Sequence, residues 1–360
     1  MQVLNSRFLL PKLIMKLLVC IAMLLTVMVG AAQTNKVSFA EIDWRAQFVE
    51  APTLDSLAKE LTLPYTTDRE KVRSIFRWIT EHIDYKVRGP LNLRRATPIL
   101  TSEPDDTASS LKPLSERVAL NVFKRREAVC DGYARLFKTL CDFAGIRAEI
   151  INGYARTNMA RVGQHFLSNH AWNAVYVDSA WHLLDATWAS GYISYKDEYV
   201  RKYDDYYFFT PPQDFIRDHY PDELRWTLLD HPPTVREFQN TPYKSQHFVK
   251  NRIKTFKPSK GIIEAAVGDE VEIVLDMADI DTNTEEPDPL DTDTLLAATG
   301  KLVNLQPTVV GRKLYYRFPV ATDTVEWLNI IYRNELVMRY RLDILRRESG
   351  MQAVRQVSPN

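Results

Sequence analysis

The sequence has no excess of either charge and little cysteine. Its 360 residues carry 46 Lys and Arg and 46 Asp and Glu, so no net field would attract nucleic acid or anionic lipid. Two of the three cysteines, Cys130 and Cys141, lie in one helical pattern, and a helix separates positions 11 residues apart by about 16 Å. That spacing is beyond disulfide reach. We therefore predict no nucleic-acid partner and two unpaired thiols.

A metal-binding pattern is also lacking. Asp279 to Asn283 begins like a calcium loop, but Thr284 stands where the sharp turn needs glycine. Leu290 stands where the bidentate glutamate belongs. No metal-ligand spacing with the cysteines is found for His82, His165, His182, His219, His231 or His247. We predict no metal and no other cofactor.

The N-terminal apolar run, Leu17 to Val29, is short for a membrane span, which needs roughly 20 residues. Lys12 and Lys16 precede it, and the small residues at 30–32 follow it. This order is typical of a secretory signal peptide. We predict a cleaved signal over residues 1–32, an exported protein (periplasmic or secreted) and no stable membrane insertion after cleavage. A retained anchor, a lipidated Cys20 and a translation start at Met15 are the alternatives.

Helical and strand patterns follow one another along residues 67–240, the predicted catalytic domain, after an N-terminal segment (33–66) without a clear pattern. Thr67 to Glu70 is a capping box. Predicted helices cover about 68–83, 115–123 and 129–144, and a long irregular loop covers 88–114. Predicted strands cover 148–154, 171–177 and 180–187, the last two joined as a hairpin through Asp178-Ser179.

Beyond Pro232-Pro233 the helical pattern fades and β-rich runs alternate with turn residues. This spacing predicts a separate β-sandwich domain over 255–346. Its predicted strands cover 271–275, 314–320, 327–332 and 337–342.

Three residues form a candidate catalytic constellation. Cys130 opens a predicted helix, where the partial positive charge of the N-terminus favours a thiolate. In the predicted hairpin Val177 pairs with Ala180, so His170 lies opposite Thr187 and Asp185 is on the diagonal. A side-chain pair on that diagonal is about 7–8 Å apart on one face, which an imidazole and a carboxylate can bridge. We predict Cys130 as nucleophile, His170 as general base and Asp185 as the group that orients His170.

Sequence motifs around these residues resemble those of the transglutaminase-like superfamily. They are Ala128-Val129-Cys130-Asp131-Gly132-Tyr133-Ala134, then Asn169-His170-Ala171-Trp172-Asn173-Ala174-Val175, then Trp181-His182-Leu183-Leu184-Asp185-Ala186-Thr187-Trp188. Further on, Tyr207 to Pro211, His219-Tyr220-Pro221 and Trp226 to Leu229 are similar to the kyphoscoliosis peptidase branch. The resemblance implies an α+β fold with a papain-like core, in which the cysteine helix packs on an antiparallel sheet. It also implies the same three catalytic roles.

The resemblance implies a cysteine hydrolase or peptidase that acts on peptide or isopeptide amides through a thioester. A protein-glutamine transglutaminase or deamidase uses the same intermediate and is not separated from it by the sequence. A non-catalytic binding or scaffold protein on the same fold is a third alternative. Arylamine N-acetyltransferases share the residue order, but the Arg-Gly-Gly expected before their cysteine is replaced here by Arg126 to Val129. The expected partner is a protein or peptide substrate.

Overall fold

A computed structural model describes residues 37–87, 112–156, 166–194, 198–278 and 300–345. The predicted signal (1–32), nearly all of the predicted loop at 88–114 and the calcium-like sequence at 279–290 lie outside these ranges. Within them, no helix is both long enough and apolar enough to cross a bilayer.

Five helices come first in the described chain. They are α1 (Phe39–Ala46), α2 (Leu54–Thr62), α3 (Asp68–His82), α4 (Leu114–Arg125) and α5 (Cys130–Phe143). The predicted capping box is present, since Thr67 and Glu70 bond each other's backbone N–H groups at the start of α3. The three predicted helices are confirmed with small shifts at their ends, whereas α1 and α2 were not predicted. Buried side chains of α2 join those of α3 and α5 in one core.

The remaining elements of the first domain form mainly one antiparallel sheet. Two short strands, β1 (Asp84–Tyr85) and β2 (Glu127–Ala128), pair in parallel ahead of α5. In chain order there follow β3 (Ala148–Ala155), β4 (His170–Val177), β5 (Ala180–Leu184), α6 (Ala186–Ser190), β6 (Gly191–Ile193), β7 (Tyr199–Arg201), a 3-10 helix (Asp205–Tyr207), β8 (Phe208–Thr210), α7 (Pro212–Phe215), β9 (His219–Pro221), a second 3-10 helix (Leu224–Thr227) and α8 (Val235–Asn240). The sheet has the strand order β8-β5-β4-β3-β9.

Helix α5 lies at the centre of this domain, packed on the sheet. The Asn173 side chain on β4 donates to the carbonyl oxygen of Ala134 at 3.0 Å. The first turn of α5 also approaches β2 closely, because a Cβ on Gly132 would lie 2.7 Å from the Cβ of Ala128. The glycine two residues after Cys130 is therefore explained by packing.

The hairpin of β4 and β5 has the predicted register, with Val177 paired to Ala180. Asp178 and Ser179 both have positive φ (51° and 64°), as a type I′ turn requires. The prediction that the second strand runs to Thr187 is wrong, because β5 ends at Leu184. Asp185 instead caps α6, since its carboxylate accepts from the backbone N–H groups of the second and third residues of that helix, Thr187 and Trp188.

The C-terminal part is a β-sandwich. Its elements are β10 (Tyr243–Lys244), α9 (Gln246–Lys250), β11 (Ile253–Lys257), β12 (Ile262–Ala266), β13 (Glu270–Met277), β14 (Leu302–Leu305), β15 (Thr308–Val310), β16 (Lys313–Pro319), β17 (Trp327–Tyr332) and β18 (Glu335–Leu345). One sheet has the order β10-β18-β17-β14 with β12 also paired to β18, and the other has the order β11-β13-β16-β15. Side chains of both sheets share one core. The four predicted strands and the predicted fold class are confirmed.

Candidate active site

Cys130 is the first residue of α5 and is half-buried. The residue before it, Val129, has no side chain that could cap the helix by a hydrogen bond. Unpaired N–H groups and the helix dipole therefore act on the thiol, and both favour its anionic form. The local sequence thus produces the electropositive position that was predicted for Cys130.

His170 is the first residue of β4, and its ring joins Cys130 to Asp185. Its Nε2 lies 2.7 Å from Oδ2 of Asp185. The ring also acts on the Cys130 thiol, whose pKa it lowers, and since Nε2 is engaged by the carboxylate, Nδ1 is the nitrogen left for the sulfur. The structure thus brings together the three residues that the sequence singled out.

Asp185 is fully buried, with 0% exposure. Its Oδ1 accepts from the backbone N–H groups of Thr187 at 2.8 Å and Trp188 at 3.2 Å. Its Oδ2 accepts from the side chains of His170 and, at 3.1 Å, His219. A buried carboxylate is costly unless its oxygens are satisfied, and here both oxygens accept two bonds each. The carboxylate is consequently held in one orientation.

His219 is the residue of the site to which sequence reasoning gave no role. It belongs to the His219-Tyr220-Pro221 motif and to the histidines that show no metal-ligand spacing with the cysteines, and it lies 34 residues after Asp185. Its Nδ1 lies 2.7 Å from Oδ1 of Asp218, and its side chain is fully buried. No local pattern could have linked a strand at the sheet edge to Asp185, because the pairing of β9 with β3 is a long-range contact.

One ligand atom each of His170, Asp185 and His219 lies within 4.8 Å of the others. Two ligands of one zinc ion, each about 2.1 Å from the metal at a tetrahedral angle, would lie about 3.4 Å apart. The N···O separations of 2.7 and 3.1 Å are shorter and match hydrogen bonds. The atoms fit a proton-linked cluster rather than a metal site.

Proton affinities at the site are shifted by these contacts. Burial alone would raise the pKa of the Cys130 thiol, but the hydrogen bond and charge of His170, with a bond from the Ala171 backbone, lower that pKa overall. Burial favours the neutral imidazole, yet the charge of Asp185 and the bonds to Asp185 and Cys130 raise the pKa of His170 to about 10. Burial opposes ionisation of Asp185, but His170 and His219 hold the pKa of that carboxyl well below its usual range. The electrostatics favour a thiolate–imidazolium pair.

Residues 55–186 match the family model described as "Transglutaminase-like superfamily". This stretch contains α5, β4 and Asp185, and so it contains all three residues of the constellation. Residues 55–186 belong to the transglutaminase-like superfamily. The resemblance inferred from the motifs is thereby confirmed.

Similarity to known proteins extends beyond the matched stretch. The chain is 33% identical to human kyphoscoliosis peptidase over 234 residues, which cover 64% of this chain and 32% of that protein. It is 30% identical to Hillarin of Drosophila melanogaster over 242 residues, 60% of this chain and 26% of that one. The chain thus spans about a third or less of the length of these relatives. A solved structure described as "Crystal structure of a TGase" is 19% identical, with a TM-score of 0.27, over 51% of this chain and 42% of that chain.

Two tryptophans of the first domain, Trp78 and Trp172, are buried. Trp78 is buried and its indole N–H donates to the carbonyl oxygen of Val49 at 2.8 Å. Trp172 is also buried, and its indole nitrogen has no hydrogen-bond partner among the residues that the structure describes. The indole N–H of Trp78 is therefore already used in a hydrogen bond to the backbone. The N–H group of Cys130 is the donor that the helix geometry provides for an oxyanion.

We expect iodoacetamide to alkylate Cys130 with a midpoint below about pH 8.5, the value of a free thiol. The reason is the lowered pKa of Cys130. Cys141 should stay unmodified, because it is fully buried and burial raises its pKa. Mass spectrometry of the two cysteine peptides across pH measures both. Faster reaction at Cys141, or equal midpoints near 8.5, would contradict the assignment of the nucleophile.

Proposed function

We propose that the protein is an exported cysteine hydrolase that cleaves peptide or isopeptide amides through a thioester on Cys130. The observation that carries this proposal is the hydrogen bond of His170 to the buried carboxylate of Asp185, together with the lowering of the Cys130 pKa by the same ring. A thiol, a base and an orienting acid in contact are what acyl transfer requires. The similarity to a protein named as a peptidase supports the choice of reaction.

Acylation would begin with the thiolate of Cys130 attacking the amide carbon, so that a C–S bond forms and the carbonyl oxygen becomes an oxyanion. The N–H group of Cys130 at the helix terminus would donate to that oxygen. Collapse of the intermediate would break the C–N bond, and the imidazolium of His170 would give its proton to the departing amine. The products of this half-reaction are a thioester and a free amine.

Deacylation would use the same groups in reverse. His170, now neutral, would take a proton from water as the oxygen attacks the thioester carbon. The C–S bond would then break, releasing a carboxylic acid and restoring the thiolate–imidazolium pair. Asp185 would hold the ring in the tautomer that carries its proton on Nε2 throughout.

A transglutaminase or deamidase would follow the same path as far as the thioester, and it is the second candidate. In a transglutaminase an amine takes the acyl group from the thioester, whereas in a hydrolase or a deamidase water takes it. The balanced charge and the interrupted calcium-like loop at 279–290 give no support to metal-gated cross-linking. A non-catalytic scaffold is the third candidate. It would not need a buried carboxylate that is held by a helix cap and directed to the base.

The partners and location belong to the same proposal. The substrate is a protein or peptide, because the acyl donor of this chemistry is an amide. Neither a nucleic-acid partner nor stable membrane insertion is proposed. Export is supported by the pattern of residues 1–32, with basic residues, a short apolar run and small residues in order.

We expect hydrolysis or deamidation to exceed amine transfer. The purified protein is incubated with a glutamine-containing protein and a labelled primary amine, with and without calcium. Mass spectrometry then follows both label uptake and new acid groups or termini. Cys130→Ala is the control for thiol dependence. Stable label uptake that requires Cys130 and exceeds the release of acids or termini would establish a transferase instead.

A further inference from the structure

The carboxylate of Asp185 serves two imidazoles. Oδ2 is 2.7 Å from Nε2 of His170 and 3.1 Å from Nε2 of His219. The first of these imidazoles lowers the pKa of the Cys130 thiol. The three-residue mechanism uses His170 and Asp185 and leaves His219 without a function. A fully buried histidine bonded to the orienting acid requires an explanation of its own.

Hydrogen bonding fixes the protonation of His219. Its Nε2 faces Asp185, and its Nδ1 lies 2.7 Å from Oδ1 of Asp218. A carboxylate in its ionised form only accepts hydrogen bonds, so two ionised partners require both ring nitrogens to donate. A ring that donates from both nitrogens is an imidazolium. Consistent with this, the pKa of His219 is raised, because the charge of Asp218 and the bonds to both carboxylates outweigh burial.

The surroundings of the ring suit a cation that water does not reach. Phe215 stacks on the His219 ring with centroids 4.2 Å apart, and Trp188 lies at 4.4 Å. The rings of Trp172 and His219 form a T-shaped pair with centroids 5.0 Å apart. Aromatic faces attract a buried cation. The charge of His219 is thus stabilised by two carboxylates and by the surrounding rings, and it is fixed in place.

We propose that His219, held by Asp218, is a positioning residue of the reaction: it fixes the Asp185 carboxylate and supplies a positive charge that favours the Cys130 thiolate. This inference rests on the proposed roles of Cys130 and His170. It extends the site from three residues to five, arranged as thiol, imidazole, carboxylate, imidazole and carboxylate.

Charges alternate along this series. This alternation sets the direction in which a substitution of His219 shifts the pKa values of its neighbours. The groups that face His219 are the carboxylates of Asp185 and Asp218, the ring of His170 and the phenol of Tyr207. Replacing His219 by a neutral side chain removes one positive charge near the other groups. The pKa values of Cys130 and of His170 should then both rise. A purely structural defect would lower activity without raising both of these pKa values.

The test compares His219→Gln with His219→Asn in the full chain. The amide of Gln reaches the position of Nε2 and can still donate to Asp185, whereas the amide of Asn reaches the position of Nδ1 and leaves Asp185 without that donor. His182→Gln is the matched control, since His182 lies in the same sheet and stacks on Phe209 instead.

The readouts are the pH dependence of Cys130 alkylation, which needs no substrate, and the hydrolysis of p-nitrophenyl acetate. Both His219 variants should shift the alkylation midpoint upward by about 0.5–1 pH unit. The Gln variant should keep about a tenth of the hydrolysis rate and the Asn variant about a hundredth. His182→Gln should behave as the parent protein does.

An unchanged midpoint in both folded His219 variants overturns the proposal, and so does an Asn variant as active as the Gln variant. If the variants do not fold, 15N spectra of the unmodified protein decide the question. Two protonated nitrogens on His219 at neutral pH support the proposal, and a neutral ring overturns it. Failure of the proposed function has a different signature, namely a parent protein whose Cys130 titrates as an ordinary thiol.

Discussion

Asp185→Asn should reduce turnover about 10³–10⁴-fold, the scale on which a catalytic histidine held in the wrong tautomer fails. The Asn oxygen can keep the bonds to the backbone at the start of α6, and its NH2 group then faces Nε2 of His170. That nitrogen must lose its proton to accept from the amide. Nδ1 then carries the proton toward Cys130, so the ring cannot take one from the thiol. Hydrolysis of p-nitrophenyl acetate measures the loss.

The same substitution also changes the hydrogen bond between Asp185 and His219. We therefore expect a loss of stability of about 1–3 kcal/mol. Thermal melting and circular dichroism show how much protein remains folded. Asp204→Asn is the matched control, because Asp204 caps a 3-10 helix of the same domain through the N–H of Tyr206 at 3.1 Å. If Asp185→Asn unfolds the protein while the folded remainder keeps normal activity, Asp185 is a structural residue.

Cys130→Ala should abolish turnover, with a loss of about 10⁴-fold or more, because the proposed thioester forms on the sulfur of Cys130. The fold should be retained, since Cys130 is only half-buried at a helix start. Cys141→Ala gives the opposite pattern. That thiol is fully buried in the core, so its removal should cost about 1 kcal/mol of stability and leave turnover unchanged.

Each cysteine variant serves as the control for the other. Activity with p-nitrophenyl acetate and melting temperature are recorded for both. Each variant should affect one measurement and leave the other near the parent value. If Cys130→Ala stays active and Cys141→Ala is inactive, the assignment of the two thiols is reversed.

Long, strongly periodic segments were predictable from the sequence. Helix α3 is marked by its capping box and by apolar residues at helical spacing, and the β4–β5 hairpin by two alternating runs around Asp178-Ser179. In contrast, α1 and α2 were missed because their 8 and 9 residues offer too few periods. The end of β5 was misplaced because Ala186 and Thr187 continue an apolar and polar alternation, while the carboxylate of Asp185 takes the backbone N–H groups of Thr187 and Trp188 and starts a helix.

The sequence by itself determined the helix that opens at Cys130, the order of Cys130, His170 and Asp185, the hairpin register and the β-rich C-terminal part. Each of these is a local pattern, or several local motifs in a set order. Only the tertiary structure decided that β9 joins the edge of the sheet beside β3, which places His219 and Asp218 against Asp185. Periodicity reports which face of a strand is buried and not which strand lies next to it. A contact between residues 34 positions apart depends on how the sheet closes, and that arrangement is set by the packing of the whole core.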